Sequence, residues 1–180
     1  PKRRNFVALH PIAGTEFSGP EAAIYNLFEG KVNIICEQHL TDKETLLRAV
    51  KIFESLKMRN VFMDSPEQHD MHIAYVSHLS HISSFMLGKT VLEIEKDEKS
   101  IFDMAGSGFA STVRLAKSNP STWTPILIQN KENVIRSLEE YIKNLNEFKE
   151  VLSRESEREV FEIMHNTNKI KGVLAGIKNS

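Results

Sequence analysis

The chain has 180 residues, of which 41% are hydrophobic and 26% are charged, and its formal net charge is −1. This length is enough to bury the core of one large or two small domains. The near-zero net charge gives no electrostatic indication of binding to nucleic acid or to an anionic membrane. A single cysteine, Cys36, excludes an internal disulfide, and no stretch of 18 apolar residues or signal-peptide pattern is found, so we expect a cytoplasmic protein.

The first third of the chain alternates between strand and helix patterns, which is typical of an α/β unit. Short runs rich in β-branched and apolar residues predict strands at residues 5–10, 31–36 and 60–64. Residues 20–30 begin with proline and end with glycine, as many helices do, and predict the first helix. The second predicted helix covers residues 41–57, where Thr41 as N-cap and Glu44 three residues later form a capping box.

From Ser65 onwards the apolar residues follow a helical period, and a long helix is predicted from there to about Lys96. Lys89 is the only formal charge between Ile73 and Leu92, so we expect this helix to be buried on nearly all sides. Small residues recur along it at three- and four-residue spacings and predict that a neighbouring backbone approaches closely. They are Ser77, Ser80, Ser84 and Gly88.

After a glycine-rich turn, the sequence predicts a short helix near residues 109–117, a break at Asn119-Pro120 and another helix at about residues 121–129. The last long segment carries a heptad seam, which favours a coiled-coil contact either within the chain or between two chains of a dimer. The seam consists of Val134, Leu138, Tyr141, Leu145, Phe148 and Leu152. The predicted fold class is therefore mainly α, with a short α/β segment at residues 1–65 followed by an all-α domain at residues 66–180.

Four histidines lie close together in the segment HDMHIAYVSHLSH, but their spacing does not predict a metal site. A helix turns about 100° per residue, so His69 and His72 share one side of it, and His78 and His81 share another. Four ligands on two sides cannot converge on one ion, and no HExxH motif is found in the sequence. His78 and His81, beside Ser77 on a largely apolar helix, form a polar island. They are interpreted as part of a ligand pocket, with a hydrogen-bonded core histidine as the alternative for either one.

The segment GSGFAS, from Gly106 to Ser111, looks like part of a dinucleotide-binding loop. No clear strand precedes it and a serine replaces the final glycine, so we assign no cofactor to it. Arg114, which follows, lies among serine, threonine and glycine residues with few other charges. An arginine in such surroundings is well suited to bind a carboxylate through two parallel hydrogen bonds. The alternative is a solvated residue on an exposed helical face, which is the usual role of a helical arginine. Trp123 is interpreted as a core or interface residue.

Three segments in this order resemble the C-terminal part of the prephenate dehydrogenase family: HPIAGTEFSG from His10, HDMHIAYVSHLSH from His69 and GSGFASTVRLAKSNPSTWTPILIQNKENV from Gly106. The resemblance implies an oxidoreductase of tyrosine biosynthesis that oxidatively decarboxylates prephenate to 4-hydroxyphenylpyruvate with NAD or NADP. It implies that residues 1–65 are the last strands of a Rossmann-like nucleotide-binding domain. It also implies that residues 66–180 are a helical substrate-binding and dimerisation domain, which forms a homodimer.

The same resemblance implies roles for single residues. His10 would be the catalytic base that takes the proton from the substrate hydroxyl, and an imidazole with its ordinary pKa of about 6.5 suits this role near pH 7. Arg114 would bind a substrate carboxylate. The remaining positions that match the family's substrate pocket are Thr15, Glu16, Ser77 and His81, with Glu16 near the entrance.

The family's glycine-rich cofactor loop is expected upstream of residue 1, so the cofactor-binding residues cannot be named and the chain is expected to be an inactive fragment by itself. Two alternatives stay open: an enzyme that prefers arogenate, the aminated analogue of prephenate, and a helical dimerisation or binding module with no catalytic role. The resemblance also implies tyrosine as a feedback inhibitor. No metal is expected, and neither nucleic acid nor a membrane is an expected partner.

Overall fold

The computed structural model describes residues 5–17, 19–96, 98 and 100–178. Its strands are β1 (Ala8–Ile12), β2 (Val32–Cys36) and β3 (Arg59–Met63). Its helices are α1 (Lys43–Ser55), α2 (Pro66–Ile73), α3 (Leu79–Glu95), α4 (Ser107–Thr112), α5 (Pro120–Gln129), α6 (Lys131–Ser153), α7 (Glu157–Thr167) and α8 (Ile170–Lys178). Short 3₁₀ turns cover Pro20–Ala22, Gln38–Leu40, Ile101–Met104 and Arg114–Lys117, and a π-helical segment covers Ala74–His78. The predicted fold class, mainly α with a short α/β segment, is confirmed.

The described residues form two compact units. The first unit takes them from Pro1–Ala13, Asn26–Asp64 and Leu138–Ser180, and the second from Gly14–Tyr25 and Ser65–Ser137. The three strands, α1, α7 and α8 therefore belong to the first unit, and α2, α3, α4 and α5 belong to the second. Helix α6 begins in the second unit and continues into the first. The predicted domain boundary at residue 65 stays a prediction.

The sheet of the first unit has the order β1-β2-β3, with β1 antiparallel and β3 parallel to the central strand. Helix α1 connects the two parallel strands, as a crossover helix does. The predicted strands are confirmed, although the first is shifted, because it begins at Ala8 and continues through His10 and Pro11 to Ile12. Pro11 has no N–H to donate, and β1 lies at the edge of this sheet, where proline is tolerated.

The helix predicted at residues 20–30 is wrong. Only Pro20–Ala22 forms a 3₁₀ turn, and the chain then passes through turns in which Asn26 has a φ of 59° and Gly30 a φ of 74°. These left-handed conformations cannot continue a right-handed helix. The apolar side chains of Ile24 and Tyr25 are exposed rather than packed along one face, so no burial stabilises a helix here.

The helix predicted at residues 41–57 is confirmed as α1, but its N-cap is Asp42 rather than Thr41. The Asp42 carboxylate accepts hydrogen bonds from the backbone N–H groups of Glu44 and Thr45, at 3.0 and 3.3 Å. Thr41 is instead buried, and its hydroxyl donates to the Phe6 carbonyl at 3.2 Å. The capping-box pattern therefore identified the start of the helix but not the residue that caps it.

The long helix predicted from Ser65 is confirmed and consists of α2, the π-helical segment and α3. The Ser65 hydroxyl caps it by accepting a hydrogen bond from the Gln68 N–H at 3.1 Å. In the π-helical segment, the Leu79 N–H reaches back five residues to the Ala74 carbonyl. The expectation that this helix is buried on nearly all sides is wrong for a single chain, because Val76 of the π-helical segment is 73% exposed and apolar residues of α3, such as Leu92, also face solvent. An apolar composition does not show whether the chain itself or another molecule covers the side chains.

The stripe of small residues on α3 lets another part of the second unit approach the helix closely, as predicted. The buried Ser84 donates its hydroxyl hydrogen to the Thr112 carbonyl at 2.6 Å. One turn further on, a Cβ placed on Gly88 would lie 3.9 Å from the Cβ of Ala116. The prediction of one helix at residues 109–117 is wrong, since α4 ends at Thr112 and a 3₁₀ turn that packs on α3 begins at Arg114. The helix predicted at about residues 121–129 is confirmed as α5.

The heptad seam lies on α6, which forms one uninterrupted helix. Val134 is buried, but Leu145 and Leu152 are about half exposed, so the chain covers this seam only in part. Helices α7 and α8 also expose large apolar side chains, namely Phe161, Met164, Ile170, Val173, Leu174 and Ile177. None of the helices within the described residues is long and apolar enough to cross a membrane.

Candidate active site

The structure places His10 in the middle of β1 rather than at the end of the strand, because the strand continues to Ile12. It pairs in register with Ile34 of β2 and is exposed. An exposed imidazole is accessible to a ligand and can exchange a proton with it. His10 belongs to the first unit, whereas the other predicted site residues belong to the second; these are Thr15, Glu16, Ser77, His81 and Arg114.

Arg114 and Glu16 form an ion pair, although they lie far apart in the sequence. The Arg114 Nη1 donates to Oε2 of the Glu16 carboxylate at 2.7 Å, which is a charge-assisted hydrogen bond. The arginine side chain is 51% exposed and the glutamate side chain 13%. Among the described residues no other side chain hydrogen-bonds to this guanidinium, so its remaining N–H donors are accessible to a second carboxylate.

The loop around Glu16 favours the charged form of its carboxyl group. A backbone hydrogen bond, and then the positive charge of Arg114, hold the pKa of Glu16 below its usual value, although desolvation acts in the opposite direction. The Thr15 hydroxyl oxygen accepts a hydrogen bond from the Phe17 N–H at 3.3 Å and so stabilises the loop itself. A negative charge is therefore held beside Arg114 at neutral pH.

His81 has one defined tautomer. Its Nδ1 lies 3.0 Å from the Ser77 carbonyl oxygen, which can only accept, so Nδ1 carries a hydrogen and Nε2 is left for a ligand. Burial lowers the pKa of His81 and the nearby charge of Arg114 lowers it further, while the hydrogen bond to Ser77 opposes both effects. The ring is therefore neutral at pH 7, and Nε2 accepts rather than donates a hydrogen bond.

Trp123 contacts both histidines of the polar island and was missed as a site residue. The His81 and Trp123 rings are stacked, with centroids 3.3 Å apart and planes inclined at 24°. The His78 ring meets the same indole edge-on, at 6.0 Å and 82°. Nothing in the spacing of a single tryptophan distinguishes a core residue from one that holds a histidine, so this contact was not predictable from the pattern.

The second unit thus brings Glu16 to Arg114, and Ser77 and Trp123 to His81, while Thr15 contacts only its own loop among the hydrogen bonds described. The segment GSGFAS follows the 3₁₀ turn Ile101–Met104 rather than a strand, which does not fit a dinucleotide-binding loop. Within the residues that the structure describes, no group of three or more His, Cys, Asp or Glu side chains is placed to hold a metal ion.

Two family models match the chain. The model for the nucleotide-binding domain of prephenate dehydrogenase matches residues 1–62, and the model for the dimerization domain of prephenate dehydrogenase matches residues 65–166. The prephenate dehydrogenase of Bacillus subtilis (strain 168) is 30% identical over 161 residues, which cover 89% of this chain and 43% of that protein.

Solved structures give the same picture. Prephenate dehydrogenase from Aquifex aeolicus, in complex with hydroxyphenyl propionate and NAD+, is 39% identical with a TM-score of 0.83, over 94% of this chain and 59% of that one. Synechocystis arogenate dehydrogenase is 25% identical with a TM-score of 0.74, over 94% of this chain and 62% of that one. The chain therefore spans less than two thirds of the length of these relatives.

Proposed function

The chain belongs to the prephenate dehydrogenase family, and from this premise we propose that the protein containing it oxidatively decarboxylates prephenate to 4-hydroxyphenylpyruvate with a nicotinamide dinucleotide, NAD or NADP. The observation that carries the proposal is the placement of Arg114 in the same unit as a neutral, half-buried His81 whose pKa it lowers. A cation with accessible donors beside an imidazole with a free ring nitrogen is suited to a substrate that carries carboxylates and a polar oxygen.

Arg114 is proposed to bind a carboxylate of the substrate. Its guanidinium already shares one N–H with Glu16, and its other donors retain the planar geometry that matches a carboxylate. His81 is proposed to contact the substrate through Nε2. In the free protein this nitrogen carries no hydrogen and can only accept a hydrogen bond, and an anionic substrate would raise the pKa of the ring and convert Nε2 into a donor.

His10 is proposed to be the general base that takes the proton of the substrate hydroxyl. The carbon that bears this hydroxyl gives up its hydrogen as a hydride while the bond between the ring and its carboxylate breaks to release carbon dioxide, so that the ring becomes aromatic. The proton that His10 takes is returned to the phenolate oxygen, which gives the hydroxyl group of 4-hydroxyphenylpyruvate. A nicotinamide dinucleotide, when bound, supplies the hydride acceptor; we assign its contacts to no residue of this chain. The exposed position of His10 on β1 supports the role, because a base must reach the proton that it abstracts.

A homodimer is part of the proposal. Helices α7 and α8 expose several large apolar side chains, including Phe161, which is 66% exposed, and Ile177, which is 58% exposed. Side chains of this kind, gathered on neighbouring helices, are typical of surfaces that another molecule covers. The match of residues 65–166 to a dimerization domain supports a second copy of the chain as that molecule.

A second candidate substrate is arogenate, and one observation favours it. Glu16 holds a negative charge close to Arg114. A carboxylate in this position would pair with the amino group that arogenate carries and prephenate lacks. One of the structural relatives is an arogenate dehydrogenase.

Initial rates of NADH or NADPH formation by the full-length protein test these roles, with prephenate and arogenate compared side by side. We expect His10→Asn to lower kcat by about a hundredfold or more and Arg114→Gln mainly to raise KM. The matched controls are His39→Asn and Lys117→Gln, which change an exposed histidine and the other cation of the Arg114 turn. Wild-type rates for both His10→Asn and Arg114→Gln would contradict the proposal and favour a non-catalytic dimerisation or binding module.

A further inference from the structure

We propose that Trp123 is a positioning residue for His81: the indole ring fixes the imidazole in the orientation that directs Nδ1 to the Ser77 carbonyl and leaves Nε2 for the substrate. This inference rests on the proposed function for its effect on catalysis. The contact between the two rings, however, can be measured without substrate.

Two restraints act on the His81 ring, and they are perpendicular to each other. The hydrogen bond from Nδ1 to Ser77 lies in the plane of the ring and sets its rotation. The stack on Trp123 acts on the face of the ring, with the two centroids only 3.3 Å apart, and prevents it from tilting. Either restraint alone would leave one of the two side-chain torsions free.

The indole is itself held by a chain of polar contacts. His78, which is buried, contacts the indole in a T-shaped arrangement. Its Nδ1 lies 3.3 Å from the Asn130 Nδ2, which also donates to the Asp70 carbonyl at 2.7 Å. Asn133 donates in turn to the Asn130 Oδ1 at 2.8 Å. Because the Asp70 carbonyl only accepts, the orientation of the Asn130 amide is defined, and His78 Nδ1 must be the acceptor.

Packing alone does not account for this arrangement. The apolar core of the second unit includes Ile73, Ala74 and Val134, all of them buried, whereas Trp123 stays partly exposed. The histidine that it covers lies next to a π-helical segment, a feature that recurs at functional sites. A tryptophan that is only half-buried and is flanked by two imidazole rings matches a positioning role better than a core role.

The stack should be visible in the wild-type protein. Trp123 is the only tryptophan of this chain, and a protonated imidazole in contact with an indole quenches its fluorescence. The fluorescence of Trp123 is the part of the emission that is lost in Trp123→Phe, and we expect it to change with pH as His81 is protonated. We also expect the His81 ring protons to be shifted upfield in the NMR spectrum. His78 also contacts the indole, so the contribution of His81 is the part of the fluorescence titration that His81→Asn removes. His39→Asn, the matched control, should leave the whole titration unchanged. The charged residue that acts on His81 in this titration is Arg114.

A substitution series then tests the positioning. Trp123→Phe keeps an aromatic face, and we expect it to retain the titration midpoint and the single tautomer of His81. Trp123→Leu removes the stack and opens one face of the ring to water, so the pKa of His81 should rise towards its ordinary value and both tautomers should be populated. If Trp123→Leu does not fold, the upfield shifts in the wild-type protein and the Trp123→Phe variant decide the question by themselves.

A double-mutant cycle in the full-length enzyme separates positioning from general stabilisation. We expect Trp123→Leu to raise KM by about fivefold to tenfold with kcat within about twofold, as the loss of one aromatic contact would. In the His81→Asn background the same substitution should change KM by less than about twofold, because the ring that it positions is gone. Equal effects in both backgrounds, or a His81 titration that is the same in Trp123→Leu as in the wild type, would overturn the inference.

The two proposals fail in different ways. If His81→Asn leaves KM for prephenate unchanged, His81 is not a substrate ligand, and the tautomer and pKa measurements still show whether Trp123 orients it. If His81→Asn raises KM but Trp123→Leu affects neither KM nor the His81 titration, the proposed function stands and the positioning role of Trp123 is refuted.

Discussion

Glu16→Gln removes the negative charge beside Arg114 while keeping the shape of the side chain, and we expect opposite effects on the two candidate substrates. In the free protein Glu16 occupies one edge of the guanidinium, with Nη1 and Oε2 2.7 Å apart. A prephenate carboxylate approaching Arg114 meets this charge and is repelled by it. The variant should therefore lower KM for prephenate and, because the ammonium of arogenate loses its partner, raise KM for arogenate.

The magnitude follows from the exposure of the pair. Ion pairs between exposed side chains are weak. The Arg114 side chain is half exposed, so removal of the Glu16 charge should change an equilibrium constant by no more than about fivefold. We therefore expect KM for prephenate to fall by up to about fivefold, with kcat unchanged.

Initial-rate kinetics of the full-length protein at saturating cofactor measure both values of KM. The matched control is Glu29→Gln, which breaks the exposed Glu29–Lys57 ion pair of 2.9 Å in the other unit and should change neither KM. A KM for prephenate that rises in Glu16→Gln would refute this reasoning, because it would mean that Glu16 helps Arg114 to bind the carboxylate rather than competing with it.

Three further predictions concern stability. A backbone hydrogen bond and Arg114 lower the pKa of Glu16 in the folded protein. The charged form of Glu16 therefore stabilises the fold above the ordinary glutamate pKa, and this contribution is lost as the pH falls through the folded pKa. Glu16→Gln should flatten the acid side of a plot of the free energy of unfolding against pH, and an unchanged slope would contradict this prediction. Gly88→Ala should raise the free energy of unfolding by about 0.5–1 kcal/mol, because its Cβ fits 3.9 Å from that of Ala116 and alanine favours a helix. Gly88→Leu, by contrast, should displace the Arg114 turn and raise KM. If denaturation and kinetics show no difference between the two variants, the predicted close approach is contradicted. Asp42→Ala should lower the free energy of unfolding by about 1 kcal/mol, as the loss of an N-cap does. Asp42→Asn keeps an oxygen that can cap the helix and should leave the free energy of unfolding nearly unchanged. Equal urea midpoints for the two variants would refute the assignment of Asp42 as the cap.

The sequence predicted the elements whose pattern is repeated along the chain. The capping residue Ser65 and the long helical period that follows predicted the helix through Glu95, and the β-branched runs predicted three strands. The helix predicted at residues 20–30 failed because single start and stop residues do not replace an apolar face that can be buried. Asp42 and Thr41 were confused for a related reason, since either residue type can cap a helix and only tertiary contacts decide which one does.

The candidate site was predictable as a set of residues but not as a set of contacts. The family's motifs include Glu16, Arg114 and His81, yet neither motif nor spacing indicates that Glu16 and Arg114 meet across almost 100 residues of chain. The turn that carries Arg114 packs on α3, where a Cβ on Gly88 would lie 3.9 Å from the Cβ of Ala116, and such packing depends on the whole unit. The stack between Trp123 and His81 depends in the same way on how α5 packs against α3.

The π-helical segment gives the long helix one place at which the length of the chain can change by one residue. The bond from the Leu79 N–H to the Ala74 carbonyl accommodates one residue more than a turn of α-helix would. Deleting a single residue within Ala74–His78 would restore α-helical hydrogen bonding and leave α2 and α3 in nearly the same rotational setting. Deleting one residue from a regular turn of α3 would instead rotate the rest of that helix by about 100°, which would move Ser84 away from the Thr112 carbonyl. The second unit should therefore tolerate the loss of one residue within the π-helical segment but not within α3.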